Sequence, residues 1–348
     1  MAQLLRVTHD TFIPLERTTM VAAGKTETTD LERWIKDCPQ LIDDTLLVVT
    51  NQFGSWAAAN DDAARERPDV LALSTSGELV VMELKRDGDR RIHLQAITYG
   101  ALVAGFTKET LAQAHADWLA RERDERISAE EALERLTAHV DSQWNDELLT
   151  LPRLLLVAEH FPAQVLTTVQ WLATAAPAIT IECHEYQLFR DTDGLCVSFQ
   201  RLFPVDTLEN RRLRPAVTAA ANETSEQVAT NRRRARSAKL IVEHDLIPAG
   251  ALMTLELGGV SRPEVKAQVD AWLTENPDRA RITWVNDPIR PLVWAVEPDK
   301  TWTPSALRNT IFARAGAPEP NFSAGDTWCY LGRTLWWIAS EVEDASDV

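Results

Sequence analysis

Between Pro68 and Tyr99 two apolar runs, Val70–Leu73 and Leu79–Leu84, flank Ser74-Thr75-Ser76-Gly77, the composition of a turn between short buried strands. A half-exposed hairpin would alternate apolar and polar residues. These runs are apolar throughout and charged only at their open end, by Asp69 before the first strand and by Glu83 and Lys85 in the second. Glu83 and Lys85 are two apart and share a strand face. Setting Leu73 opposite Leu79 brings Asp69 opposite Glu83, with Cβ atoms roughly 4.5–5.5 Å apart, and like charges there repel. Something positive belongs between them, and a divalent cation fits. Mg²⁺ takes oxygen ligands, binds through one or two carboxylates and keeps several waters. Lys85 adds a positive neighbour able to position a nucleophile or a phosphate. The pattern predicts a phosphodiester-cleaving site.

A helix is expected next, because Leu94, Ile97, Thr98 and Ala101 recur at helical spacing, and Gln95 and Tyr99, four apart, share a neighbouring face. Taken alone, those two also read as a helix-surface pair. The ordered set Pro68-Asp69, Glu83-Leu84-Lys85 and Gln95-x-x-x-Tyr99 resembles the PD-(D/E)XK nuclease superfamily, in its RecB-like branch. Upstream, Glu27-Thr28-Thr29-Asp30-Leu31-Glu32-Arg33-Trp34-Ile35 and Asp37-Cys38-Pro39-Gln40-Leu41-Ile42 look like the first helix of NucS-type members. The resemblance implies a restriction-endonuclease-like α/β domain. In it Asp69 and Glu83 hold Mg²⁺ or Mn²⁺, Lys85 orients or activates water, Gln95 and Tyr99 support the site, and Glu27 leans into it. Read without the resemblance, a glutamate before a helix also simply complements the helix dipole.

The 348 residues suggest two domains of ordinary soluble composition, with 45% hydrophobic and 25% charged residues. A formal net charge of −16 is unexpected for a chain that grips nucleic acid, so phosphate contacts must come from local basic patches and metal. Cys38, Cys183, Cys196 and Cys329 are scattered without a Cys-x-x-Cys, which signals neither zinc knuckle nor disulfide framework and suits a reducing cytoplasm. Charged residues interrupt every apolar stretch of residues 1–24, so no signal peptide is expected, and no later run approaches the roughly 18 residues of a membrane helix. Leu4–Val7 and Thr11–Leu15 read as short strands that pair with the first domain or with a second copy, which would make a homodimer. Leu46–Val49 reads as the first core strand.

Residues 1–206 are assigned to the nuclease domain, with 108–150 as an acidic helical insertion. From Asp117 to Glu147 ten acidic residues face four basic ones, a stretch that should avoid DNA. Ser128-Ala129-Glu130-Glu131 is a capping box. Leu154–Ala158, Ala163–Ala173 and Ile179–Cys183 read as strand, helix and strand, and a hairpin about Gly194 closes the domain. Cys183-His184-Glu185 offers ligands in name only, since neighbours on a strand point to opposite faces.

Residues 207–239 read as a basic linker in which Arg211, Arg212, Arg232, Arg233, Arg234 and Arg236 are the candidate phosphate contacts, or else a solvated charge run. Residues 240–342 form a smaller α+β domain. It holds seven of the twelve tryptophans, among them Trp302 at the start of a Thr303-Pro304-Ser305 helix. Leu246-Ile247-Pro248-Ala249-Gly250, Thr303-Pro304-Ser305-Ala306-Leu307 and a closing hairpin through Asp326–Gly332 and Leu335–Ile338 resemble the RAMA (restriction enzyme and adenine methylase associated) domain. That resemblance implies DNA recognition, with Trp302 offering a face to a modified base, although tryptophans are more often core. Together these features lead to a metal-dependent DNA endonuclease of modification-dependent restriction or phage defence. A DNA-binding sensor that does not cut and a nuclease acting on RNA are the alternatives.

Overall fold

The computed structural model describes residues 4–7, 12–54, 67–141, 144–191, 194–204, 237–258, 261–318, 320 and 322–346. The chain divides into two units, Met1–Leu73 with Leu79–Arg126 and Leu149–Asn222, and Ser74–Glu78 with Ile127–Leu148 and Glu223–Val348. The first is a mixed α/β sheet with helices, and the second is built on an antiparallel sheet.

In the first unit β1 (Leu5–Val7) and β2 (Phe12–Pro14) pair with each other. The remaining strands are β3 (Glu16–Thr18), β4 (Leu46–Asn51), β5 (Val70–Ser74), β6 (Leu79–Lys85), β7 (Arg153–Ala158), β8 (Ile181–Asp191) and β9 (Gly194–Phe203). They form a seven-stranded sheet in the order β3-β8-β7-β6-β5-β4, with β9 pairing antiparallel along β8 from Cys183 to Asp191. β6, β7 and β8 run parallel, and parallel strands are covered on both faces, so β5, β6 and β7 are buried almost end to end. The helices of this unit are α1 (Glu32–Asp37), extending a π-helical turn Glu27–Leu31, then α2 (Ile92–Val103), α3 (Lys108–Glu122) and α5 (Ala163–Ala175), while α4 (Ala129–His139) falls in the second unit.

The apolar spacing misplaces the inner face of α2. Leu94 is 53% exposed, whereas Ile92, Ala96, Tyr99, Gly100 and Val103 are buried. Gly100 explains the choice: a Cβ there would lie 2.9 Å from Leu154 Cδ2, so the small-residue side is the one that approaches β7 closely.

The acidic stretch 108–150 is divided rather than one insertion. α3 belongs to the first unit and buries Leu111, His115, Trp118 and Leu119, while 127–148 belongs to the second. The capping box forms as expected, Ser128 Oγ accepting from the Glu131 N–H and the Glu131 carboxylate accepting from the Ser128 N–H. Within the second unit the turn Ser74–Glu78 is held by this segment. The Asp141 N–H donates to the Thr75 carbonyl at 2.7 Å, and Trp144 Nε1 donates to the Gly77 carbonyl at 3.0 Å.

The second unit's sheet comprises β10 (Leu252–Leu255), β11 (Ile282–Trp284), β12 (Leu292–Trp294), β13 (Glu297–Trp302), β14 (Trp328–Tyr330) and β15 (Arg333–Thr334), in the order β13-β12-β11-β10-β14-β15. Trp284, Trp294 and Trp328 are fully buried at its centre. Each large apolar side chain so placed contributes roughly 1.5–3 kcal/mol. The expected terminal hairpin is shorter than read: Leu331 and Gly332 turn between β14 and β15, and Leu335–Ser346 is a helix. No described helix is long and apolar enough to cross a membrane, and all four cysteines are free thiols. The linker arginines Arg211, Arg212, Arg232, Arg233, Arg234 and Arg236 lie outside the described residues.

A buried ion cluster ties the first unit together. Arg153 Nη2 donates to Asp43 Oδ2 at 2.7 Å and its Nε to Glu182 Oε1 at 2.6 Å, while His184 Nε2 stands 3.1 Å from Glu182 Oε2. Burial opposes ionisation of Asp43, but Arg153 and the Thr45 N–H and hydroxyl outweigh it and hold the carboxyl at about 2. Its folded value lies below its unfolded one, so the stabilisation is present above pH 4 and is lost as pH falls toward 2. Asp43→Asn is expected to lower stability by about 2 kcal/mol at pH 7 in urea melts, with the gap to the parent narrowing between pH 4 and 2. In the second unit, Gly77 has φ +88° and a Cβ there would meet Trp144 Cδ1 at 3.0 Å and Leu148 Cδ1 at 3.1 Å. Gly77→Ala is expected to cost about 1–3 kcal/mol, read by thermal melting.

Candidate active site

The hairpin register is the one expected, with Leu73 opposite Leu79 and Val70 opposite Met82. Asp69 and Glu83 therefore occupy the next facing positions. The Leu84 N–H donates to Asp69 Oδ2 at 2.8 Å. Glu83 is 2% exposed, and its Oε2 is buried without a hydrogen-bond partner. Lys85 Nζ lies 2.5 Å from Glu83 Oε1 and 4.0 Å from Glu27 Oε1. Glu27 Oε2 accepts from the Arg86 N–H at 2.8 Å, so a residue 59 positions away is brought to the end of β6. Asp69, Glu83, Lys85 and Glu27 thus converge.

Gln95 and Tyr99 lie on α2, which packs against β6 and β7. Tyr99 is 6% exposed, and Gln95 Oε1 is buried without a hydrogen-bond partner. Cys183 and His184 are buried in β8, with His184 committed to Glu182, which accounts for the motif as structure. In the second unit Trp302 is 5% exposed. Its ring meets the Trp294 ring edge-on with centroids 6.3 Å apart, and Lys300 Nζ sits 3.4 Å from its centroid. The face read as open to a base is therefore covered, because Trp302, although on the edge strand, packs into the apolar core of the second unit.

Two residues that the sequence did not single out join the carboxylates. Asp69 Oδ1 accepts from Gln52 Nε2 at 3.1 Å, and the same amide donates to Glu32 Oε2 at 3.0 Å. Neither has a sequence signature, since Gln52 follows a strand and Glu32 sits in the first turn of a helix.

Electrostatically the centre is under stress. Burial raises the Asp69 carboxyl above the usual range, with Glu27 and Glu32 adding to it and the Leu84 N–H and Lys85 opposing. Burial raises Glu83 too, reinforced by Asp69 and only partly offset by Lys85. Burial works against the charge on Lys85, but Glu83 outweighs it and raises the lysine. Among the described residues no group of three or more His, Cys, Asp and Glu side chains is placed to hold a metal ion. The donor set is two carboxylates with one buried, unpartnered oxygen, which suits a hard cation that keeps most of its waters. No family model, curated protein or solved structure matches the chain.

A carboxyl raised on folding costs stability as pH rises through its folded value, because the folded state then gives up a proton it held more tightly than the unfolded chain. In metal-free buffer Glu83→Gln is therefore expected to melt several degrees higher than the parent at pH 8. The gain should shrink toward pH 4, where both carboxyls are protonated, and calorimetry across that range checks it.

Proposed function

We propose that the chain is a metal-dependent DNA endonuclease of the PD-(D/E)XK restriction-endonuclease-like type. The observation that carries this reading is the opposed Asp69–Glu83 pair at the end of a buried hairpin, with Glu83 Oε2 unpartnered and Lys85 on the same face. Two like charges forced together in a desolvated place make a poor structural feature and a good cation site. Asp69 and Glu83 would hold Mg²⁺ or Mn²⁺. When bound, such an ion supplies positive charge against the charge developing on a phosphoryl group.

The remaining roles fall to the chain's own groups. Lys85, raised by its carboxylate neighbours, stays protonated at neutral pH, so it serves to orient water and to offset phosphate charge. Glu27 faces it and fixes the start of the loop after β6 through the Arg86 N–H. Gln95 and Tyr99 buttress β6 from α2 or touch the nucleic-acid backbone. DNA is the proposed partner, met by the basic residues Arg211, Arg212, Arg232, Arg233, Arg234 and Arg236 of the 207–239 linker, and the second unit, RAMA-like in its motifs, is the proposed reader of base modification. Restriction of modified DNA or phage defence is the fitting role. The alternatives are a DNA sensor that does not cut and a nuclease acting on RNA.

The test incubates the full chain with unmodified plasmid, phage DNA carrying modified bases, and RNA, each with Mg²⁺ or Mn²⁺. Metal-dependent cutting of DNA that falls at least about 100-fold in Glu83→Ala and in Lys85→Ala supports the proposal. Binding of DNA with no cutting by the parent favours the sensor, cutting of RNA alone moves the substrate class, and full activity in both variants removes the site.

A further inference from the structure

We propose that Gln52 is a positioning residue for Asp69, holding its carboxylate in the orientation in which it and Glu83 take one divalent cation. This rests on the reading of the pair given above. Gln52 has φ +48°, the left-handed region that residues other than glycine rarely adopt. A position needing only a turn there would suit glycine or asparagine, so the glutamine side chain has a use that offsets the strain.

Its contacts show the use. The Gln52 N–H donates to the Asp69 carbonyl at 3.0 Å, locking the end of β4 to the residue before β5. A side-chain amide has two N–H donors. Gln52 Nε2 places one on Asp69 Oδ1 at 3.1 Å and one on Glu32 Oε2 at 3.0 Å. With the Leu84 N–H on Oδ2, each oxygen of Asp69 has a donor, and the carboxylate can neither rotate nor swing away from Glu83.

The other end of the bridge is anchored. Glu32 is 3% exposed, and its Oε1 accepts from Asn51 Nδ2 at 2.6 Å and lies 3.6 Å from Lys36 Nζ. Asn51 is in turn gripped by Arg121, whose Nη2 donates to the Asn51 carbonyl at 3.3 Å and to its Oδ1 at 3.1 Å. Gln52 therefore transmits the rigidity of α1, β4 and α3 to a carboxylate at the site. The neutral amide also separates Glu32 from Asp69, two carboxylates that would otherwise face each other.

Groups that orient a metal-binding side chain typically contribute 10–100-fold to metal affinity. The test measures Mn²⁺ binding to the full chain, without nucleic acid, by calorimetry and electron paramagnetic resonance, for the parent, Glu83→Gln, Gln52→Met and Gln52→Asn. Gln52→Met keeps the length and loses both donors. Gln52→Asn suits the left-handed backbone better but falls one methylene short, so it separates the backbone role from the side-chain role. Expected are Mn²⁺ affinities at least tenfold weaker in both Gln52 variants. Cleavage, where measured, should need more Mn²⁺ yet approach the parent rate at saturation. Parent-like Mn²⁺ binding in Gln52→Asn, alongside binding lost in Glu83→Gln, overturns the positioning role and leaves the metal site standing. A parent chain that binds no Mn²⁺ overturns both.

Discussion

The opposition of Asp69 and Glu83 across β5 and β6 is the constraint to which the rest of the first unit answers. The apolar runs fix the register, and the register leaves no freedom about which residues meet at the open end. At an effective dielectric of 20, two unit charges about 5 Å apart repel by about 3 kcal/mol, a large part of a domain's net stability. The neighbours read as responses to that repulsion: a backbone donor from Leu84, the cation of Lys85, and an amide from Gln52. They reduce the stress without removing it, since burial still holds both carboxyls above their ordinary range.

The same sheet carries a contrasting case. Asp43 and Glu182 are as deeply buried, yet they are pushed down, because Arg153 and, for Glu182, His184 satisfy them. Burial is common to both clusters, and the sign of the net effect differs. One is a closed ion cluster whose charges and donors are matched, a structural clamp. The other is short of positive charge and leaves Glu83 Oε2 without a partner. The Arg153 cluster follows the usual rule for buried charge, and the Asp69–Glu83 pair departs from it.

The second unit shows how composition can mislead about role. Its abundance of tryptophan looks like a platform for stacked bases, but Trp284, Trp294, Trp302 and Trp328 fill the interior of a small sheet. A unit of limited size has few residues with which to exclude water, and indoles supply the most area per residue. Trp302 is the instructive one: its place beside a helix start suggested an open face, and pairing of β13 with β12 turned that face inward.

The hairpin, its turn, its register and the facing of Asp69 and Glu83 were legible in the chain itself, because strand alternation has a period of two and one pairing determines all others. The capping box at Ser128 was legible for the same reason: its contacts are local. Tertiary structure alone decided which face of α2 turns inward, since close approach at Gly100 outweighed the spacing of larger apolar residues. It alone decided that residues 127–148 join the second unit, that Glu27 reaches Lys85, and that Gln52 bridges Asp69 and Glu32. Those side-chain partners are 17 to 58 residues apart along the chain. No spacing rule relates them, and only the packing that buries both makes them neighbours.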